Sequence, residues 1–525
     1  MHATHREKGP SMPPGRSVSV AVALFIFSCC SIRRSCADDE PLGNAVEPTG
    51  KNIVWIVVED MSANFGCYGE RSIETPNVDQ LAADGVLFKN AIVTAPVCSA
   101  ARSALITGMY QTSIGAHHHR SGRGEMKIEL SPPIRTTPEL FRDAGYLTLN
   151  LSFDDFARSD RRAVEQPAVR VAKTDYNFQS PSDLYDRIHW SQRKPQQPFF
   201  AQVQLRGGKL RGNGVSDLWP RRAEQTLGSL TEPDPATLPP YLPDDPIIVG
   251  DWSQYLDAVR YTDWEVGQIL GRLRDAGELE RTFVFFITDH GVSHVRNKQF
   301  CYEGGIHIPL IVRGPGLEVG ATRDDVVEHI DLAATSLALA GLPVPDWMQA
   351  RDVLADRYEP RRYAFAARDR CDETVDRIRA VRSERYKYLR NFHPRRPYLQ
   401  PNRYKDNKPI LQAMRRLHAD GRLSPVQSLI MASERPAEEL YDLRDDPHEL
   451  RNLAGAAAHR DRLDAMRQAL ADWIAESDDR GRFPEGPMYD SDMVAYRGKR
   501  GATDARRDEL ERNVAQMKQW AAEGK

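Results

Sequence analysis

The sequence predicts an α/β fold with a large, mostly parallel sheet flanked by helices and a smaller C-terminal α+β subdomain. Three observations carry this expectation. Continuous apolar runs recur at Asn52–Val58 (NIVWIVV), Tyr146–Leu151, Phe199–Leu205, Thr282–Thr288 and Pro309–Val312, as strands buried on both faces require. Helical patterns lie between them. In Tyr255–Ala276, apolar residues at Leu256, Val259, Val266, Ile269, Leu270 and Leu273 follow helical spacing, and strands alternating with helices imply parallel pairing. Past about residue 345 the runs shorten to pieces such as Arg385–Asn391, followed by a helix near 457–476. The Pro-rich stretch around 231–246 predicts a long surface loop.

Composition narrows the function classes. The chain has 525 residues, with 71 Lys plus Arg against 74 Asp plus Glu and a formal net charge of −3. A nucleic-acid binder usually carries a clear basic excess, so that class is disfavoured. Seven cysteines in this length cannot build a dense disulfide scaffold. Residues 1–37 read as a secretory signal: His5, Arg6, Lys8 and Arg16, then the apolar run Val18–Cys30, then Ser35-Cys36-Ala37. That run is shorter than the roughly 20 residues a bilayer span needs. Export, to the periplasm or the medium, and no stable membrane span are expected, with a lipid anchor at Cys29 or Cys30 as the alternative. Residues 38–50 then form a linker, 51–345 the catalytic domain, 346–477 the C-terminal subdomain, and 478–525 a charged tail with a terminal helix.

Chemistry-bearing residues collect where strands end. Glu59-Asp60 follows the first run and Asp289-His290 follows Thr282–Thr288. In open α/β sheets ligands bind outside the carboxyl ends of strands, and two acidic pairs there can share an oxygen-preferring divalent cation. Each pair alone is more often a helix cap or solvated turn; two pairs together shift the balance toward a site. Between them, Cys98 opens a helix-favouring segment with Arg102 one turn later on the same face. A helix N-terminus and a guanidinium fork together suit a tetrahedral anion.

Cys98-Ser99-Ala100-Ala101-Arg102 resembles the C-x-[PA]-x-R signature of type I sulfatases, in its alanine form. The resemblance extends in order over most of residues 51–455. Lys51–Asp60 resembles the family's opening strand and carboxylate pair, and Thr75–Phe88 its first helix. Ala100–Tyr110 continues the signature; Tyr255–Gly291, Lys298 and Tyr302–Pro309 resemble the late catalytic half, and Glu439–Asn452 the closing motif. The glutamate–aspartate pair, the aspartate–histidine pair and Arg385–Tyr388 look most like heparan N-sulfatase-like members, with arylsulfatase-like members next.

This resemblance implies an alkaline-phosphatase-like fold and a sulfatase acting on a sulfated carbohydrate, on sulfate esters or sulfamates. It implies that a separate maturation enzyme oxidises Cys98 to formylglycine, whose hydrate attacks sulfur; a plain serine ester would lack the second hydroxyl that expels sulfate. It further implies one Ca2+ held by Glu59, Asp60, Cys98, Asp289 and His290, with Arg102 and Lys298 stabilising sulfate charge. Departures are visible. Glu59 replaces the usual aspartate, and His290 stands where asparagine is common. The lysine and histidine expected after Ala144-Gly145-Tyr146 are absent, which leaves Lys173 as the replacement. The histidine expected after Phe199–Leu205 is absent too, and Arg206 or Lys209 follows instead. His117, from the triplet His117–His119, and His294 complete the substrate-contact set. Cys371 is expected to be structural, with its charged neighbours at the pocket rim. The competing readings are a phosphodiesterase or phosphonate hydrolase of the same superfamily and a non-catalytic binder of sulfated glycans.

Overall fold

In the computed structural model, seven strands form one sheet in the order β3-β4-β1-β5-β6-β2-β7. They are β1 (Asn52–Val58), β2 (Val86–Ile92), β3 (Leu147–Ser152), β4 (Phe199–Leu205), β5 (Thr282–Thr288), β6 (His307–Arg313) and β7 (Ala321–Glu328). The structure describes residues 49–166, 168–211, 219–498 and 503–525; the signal and lipid-anchor expectations lie outside them. Pairs β1–β4, β1–β5, β3–β4 and β2–β7 are parallel, and only β6 runs against its neighbours β5 and β2. Every residue of β1, β4 and β5 is buried. Each Val or Ile so removed from water contributes roughly 1.5–3 kcal/mol, so a charge at Ile56 would break the central layer.

Two expected boundaries move, each for a local reason. The helix expected over Thr75–Phe88 ends at Ala83, and Val86–Phe88 belong to β2. Gly85 makes the turn between them, where a Cβ would lie 2.4 Å from the Val312 carbonyl oxygen, so the chain meets β6 backbone to backbone. The helix expected from Tyr255 begins at Pro246 and runs to Asp275. Asp245 caps it by accepting from the Ile247 amide, and Pro246 suits the first turn.

The second sheet is antiparallel, in the order β11-β10-β9-β8, from β8 (Ala364–Arg368), β9 (Ile378–Arg382), β10 (Tyr386–Asn391) and β11 (Glu438–Asp442). The helix Arg460–Glu476 covers it with Leu463, Met466, Leu470 and Trp473; Trp473 stacks on Phe365 and meets Tyr110 edge-on. The segment read as a charged tail carries two helices, Pro487–Arg497 and Asp504–Ala522. It is docked rather than free: Arg370 pairs with Glu485 and Asp492, and Leu510 and Met517 are buried. No helix among the described residues is long and apolar enough to cross a membrane.

Candidate active site

Parallel pairing brings the two acidic turns together. β1 and β5 are in register with Val58 opposite Thr288, so Glu59-Asp60 and Asp289-His290 emerge side by side at one sheet edge. The Asp60 amide donates to Asp289 Oδ1 at 3.1 Å, and Asp60 itself holds φ at +52°, a conformation that costs a non-glycine residue energy and aims its carboxylate into the cleft. On the other flank β4 feeds Gly207-Gly208-Lys209. A Cβ at Gly207 would lie 2.5 Å from the Glu59 carbonyl oxygen, and one at Gly208 2.1 Å from that of Asp60. The two glycines therefore let Lys209 close on the acidic turn.

Cys98 is the first residue of a buried helix, Cys98–Thr107, whose N-terminus points at this turn. Its Sγ lies 3.1 Å from His290 Nε2, 3.3 Å from Lys298 Nζ, 3.7 Å from Asp60 Oδ1 and 3.8 Å from Lys209 Nζ. Burial pushes this thiol up, but Lys173, Lys209, Lys298 and His290 together bring it down to about 6. Arg102 donates through Nε to Asp289 Oδ2 at 3.0 Å and through Nη1 to Gln204 Oε1 at 2.7 Å. Its Nη2 is buried without a hydrogen-bond partner.

Lysines complete the shell. Lys298 Nζ lies 2.9 and 3.0 Å from the two Asp60 oxygens, Lys173 Nζ lies 2.9 Å from Glu59 Oε2, and Lys209 pairs with Glu59 as well. Burial opposes ionisation of Asp60, yet Lys298, Lys209 and His290 hold its carboxyl well below the usual range. Burial likewise opposes the charge on His290, but Asp289 and Cys98 raise it to about 9. The donor set fits a divalent cation. Asp60, Cys98 and His290 place ligand atoms within 4.8 Å of one another, and Asp289 Oδ1 is 3.5 Å from His290 Nε2. Glu59 is engaged instead by Lys173 and Lys209. Ammonium groups thus occupy the carboxylates that a cation would share.

The histidines expected at the site divide. His119, rather than His117, is the triplet member at the signature helix: its Nδ1 lies 2.8 Å from Ser99 Oγ. His117 packs on the His118 ring, 4.1 Å between centroids, and its electrostatic neighbours are Asp369, Arg379, Asp479 and Arg370. The His119 amide donates to the Arg370 carbonyl, and His119 bridges to Cys371, which holds it beside Ser99. His294 sits outside the Cys98 cluster, 2.7 Å from Asp251 Oδ2 and 3.2 Å from Arg211 Nη1. The charged neighbours of Cys371 are already paired, Arg368 with Asp376 and Asp369 with Arg379, so they are not free at a rim. Sequence reasoning missed Gln204, which orients Arg102, and Tyr404, whose hydroxyl lies 3.4 Å from Asp60 Oδ2. Tyr404 comes from a helical turn, Arg403–Asp406, far along the chain; the alternation Gln202-Val203-Gln204 in a buried strand was the one local signal for Gln204.

Residues 51–342 match the Sulfatase family model, and residues 290–408 match that of N-sulphoglucosamine sulphohydrolase, C-terminal. An ulvan-active sulfatase of Formosa agariphila is 32 % identical, over 90 % of this chain and 83 % of its own. Human N-sulphoglucosamine sulphohydrolase is 25 % identical over 82 % of this chain and 91 % of its own. A solved structure in complex with its substrate D-glucosamine-2-N,6-O-disulfate superposes with a TM-score of 0.55 at 17 % identity, covering 83 % of this chain and 99 % of that one. With a family model over more than half of its length and a relative 32 % identical over 90 % of it, the chain belongs to the sulfatase family and is a sulfuric ester hydrolase.

Proposed function

We propose that this chain is an exported, calcium-dependent sulfatase that removes sulfate from a sulfated sugar, with Cys98 as the residue a maturation enzyme oxidises to formylglycine. One observation carries the reading. Cys98 Sγ sits among Lys298, Lys209 and His290, while Arg102 Nη2, 3.9 Å from Glu59 Oε1, makes no hydrogen bond among the described residues, so a donor is left near the nucleophile for an anion's oxygen. Glu59, Asp60, Asp289 and His290 would hold the calcium with residue 98. When present, the ion would neutralise sulfate charge and the hydrated aldehyde would supply the attacking hydroxyl.

The chain's own residues divide the remaining work. Lys298, 4 % exposed in its side chain, lies at the floor and meets the sulfate. Lys173 and Lys209, about a quarter exposed, line the open side, where they meet sulfate oxygens and the departing sugar. His119 holds Ser99, and with it the first turn of the signature helix. His294 belongs to the substrate wall beyond. The sulfated sugar is supported by the relatives' own names, N-sulphoglucosamine in one and D-glucosamine-2-N,6-O-disulfate in another. A phosphonate monoester hydrolase shares the fold at a TM-score of 0.55 and 16 % identity, but the family model and the curated relatives named above are all sulfatases or sulphohydrolases, which favours sulfate.

The test is peptide mass spectrometry of the protein from its native host, with sulfate release measured on glycosaminoglycan and ulvan oligosaccharides before and after chelation. Conversion of Cys98 lowers the peptide mass by about 18 Da, and turnover should fall on chelation and return with calcium. Unmodified Cys98 together with absent sulfate release would overturn the reading.

A further inference from the structure

Tyr404, which reaches the Cys98 cluster, also lines a cavity of about 610 Å3, together with Arg211, Asp251, Gln254, Lys408 and Arg506. Such a volume suits a small ligand or sugar unit. Tyr404 is shared by the cluster and the cavity. Its hydroxyl reaches Asp60, and its ring centroid lies 5.0 Å from Lys298 Nζ and 4.8 Å from Lys408 Nζ. One aromatic ring therefore separates the ammonium at the floor of the sulfate pocket from a second ammonium in the adjoining cavity.

The second space carries uncompensated positive charge. Arg211, 5 % exposed, packs over the Tyr255 ring and shares Asp251 with His294, at 3.6 and 2.7 Å. Its Nε is buried without a hydrogen-bond partner. Lys408 forms no ion pair among the described residues; the charges it senses are Arg211, Lys298, Asp60 and Asp251. Arg506 stands exposed at the rim. Among the described residues, Asp251 is thus the one carboxylate lining this space, set against three basic side chains. Pro246, Ile247, Pro409 and Ile410 supply the apolar part of the wall, as the face of a sugar ring requires.

Resting on the sulfated-sugar reading above, we infer that Lys408 and Arg211 form a specificity subsite for a second acidic group on the same glycan, a carboxylate or another sulfate, one sugar position away from the sulfate that is removed. Lys408 is the discriminating residue, because its charge is uncompensated and it touches neither Cys98 nor the cation ligands. Arg211 is the fixed wall.

The test compares kcat/KM for three matched probes: a sulfated glucosamine–uronate disaccharide carrying a second sulfate, its carboxyl-reduced form, and its form lacking the second sulfate. Wild type, Lys408→Gln and Lys408→Arg are each assayed with formylglycine present. Losing one charge-assisted contact costs about tenfold, so Lys408→Gln should reduce the preference for the anion-bearing probe by about that factor, chiefly through KM. Lys408→Arg should restore it. Loss of preference confined to the carboxyl-reduced comparison identifies a carboxylate, and loss confined to the second-sulfate comparison identifies a sulfate; either supports the subsite. An equal fall on all three probes, or none on any, overturns it. If wild type turns over no probe and calorimetry with Cys98→Ala detects no binding, the sulfated-sugar reading falls and takes the subsite with it.

Discussion

Two clusters of buried charge in this chain are built from different cations. Around Cys98, Lys173, Lys209, Lys298, His290 and Arg102 face three carboxylates, and the cations there are mostly ammonium groups; a guanidinium nitrogen without a hydrogen bond occurs in both clusters, Arg102 Nη2 here and Arg368 Nε in the other. Under the second sheet, Asp376 is gripped by Arg368 and Arg435, and Arg379 Nε and Nη2 grip Asp479 at 2.7 and 2.9 Å while Nη2 reaches Asp369 at 3.0 Å. A guanidinium fork fixes direction as well as charge, whereas an ammonium is a rotatable point charge. The arginine cluster is therefore locked. The lysine cluster can exchange a carboxylate for a sulfate oxygen or yield its carboxylates to a cation. Charge at the second sheet holds structure; charge at the first sheet's edge is held ready for a ligand.

The largest expected effect breaks the locked cluster. Asp376→Asn leaves Arg368 and Arg435 buried without their carboxylate, and removing one partner of such a set costs about 3–5 kcal/mol. Urea unfolding should show the midpoint fall by a corresponding amount, with sulfate release per folded molecule retained. A variant that keeps its midpoint would show that water or a rearranged side chain replaces the carboxylate, and the two clusters would no longer differ in kind.

Lys298→Gln tests the other side. It removes a buried charge that touches Asp60 and Cys98, and loss of a preorganised donor at a developing anion typically lowers turnover about 10²- to 10³-fold. Its urea midpoint should move far less than that of Asp376→Asn, because Lys209 and His290 remain beside Asp60. A large loss of stability with intact turnover would reverse the assignment.

This contrast also marks what could be read from the residues alone. β1, β3, β4, β5 and β6 were legible because burial on both faces leaves continuous apolar runs. β2 and β7 were not, because Lys89-Asn90 interrupts the first and Arg323-Asp324-Asp325 the second, near the sheet's polar edge. Glu59, Asp60, Asp289 and His290 were visible because they directly follow strands, and Lys173 and Lys209 because little else basic was available where the family pattern lapses. The structure brings all six to Cys98, Arg102 and Lys298. Tyr404 and Lys408 gave no such signal. They lie more than 300 residues from Cys98 and reach the site only because the chain following the second sheet's third strand returns to it. Within the triplet, sequence spacing could not show that it is His119 that lies against Ser99 of the signature helix, while His117 lies nearer Asp369 and Arg379.

The smallest expected effect concerns a buried carboxylate that has neither solution. Glu265, 5 % exposed, leaves Oε2 without a partner, and burial pushes its carboxyl up to about 8, against a weaker opposing pull from Arg222. Where burial outweighs the nearest cations, Arg222 first, the fold keeps a proton instead. The folded state then holds that proton over a range in which the unfolded chain, ionising near 4.5, has released it. Stability from this group is therefore complete below about pH 4.5 and is lost progressively as pH rises toward 8. Glu265→Gln keeps the shape and cannot ionise. Its Tm should match wild type near pH 4.5 and exceed it by a few degrees at pH 8, as calorimetry across that interval would show. Parallel curves at all pH values would mean that Glu265 is ionised in the fold and that a cation, Arg222 first, compensates it as the arginines compensate Asp376.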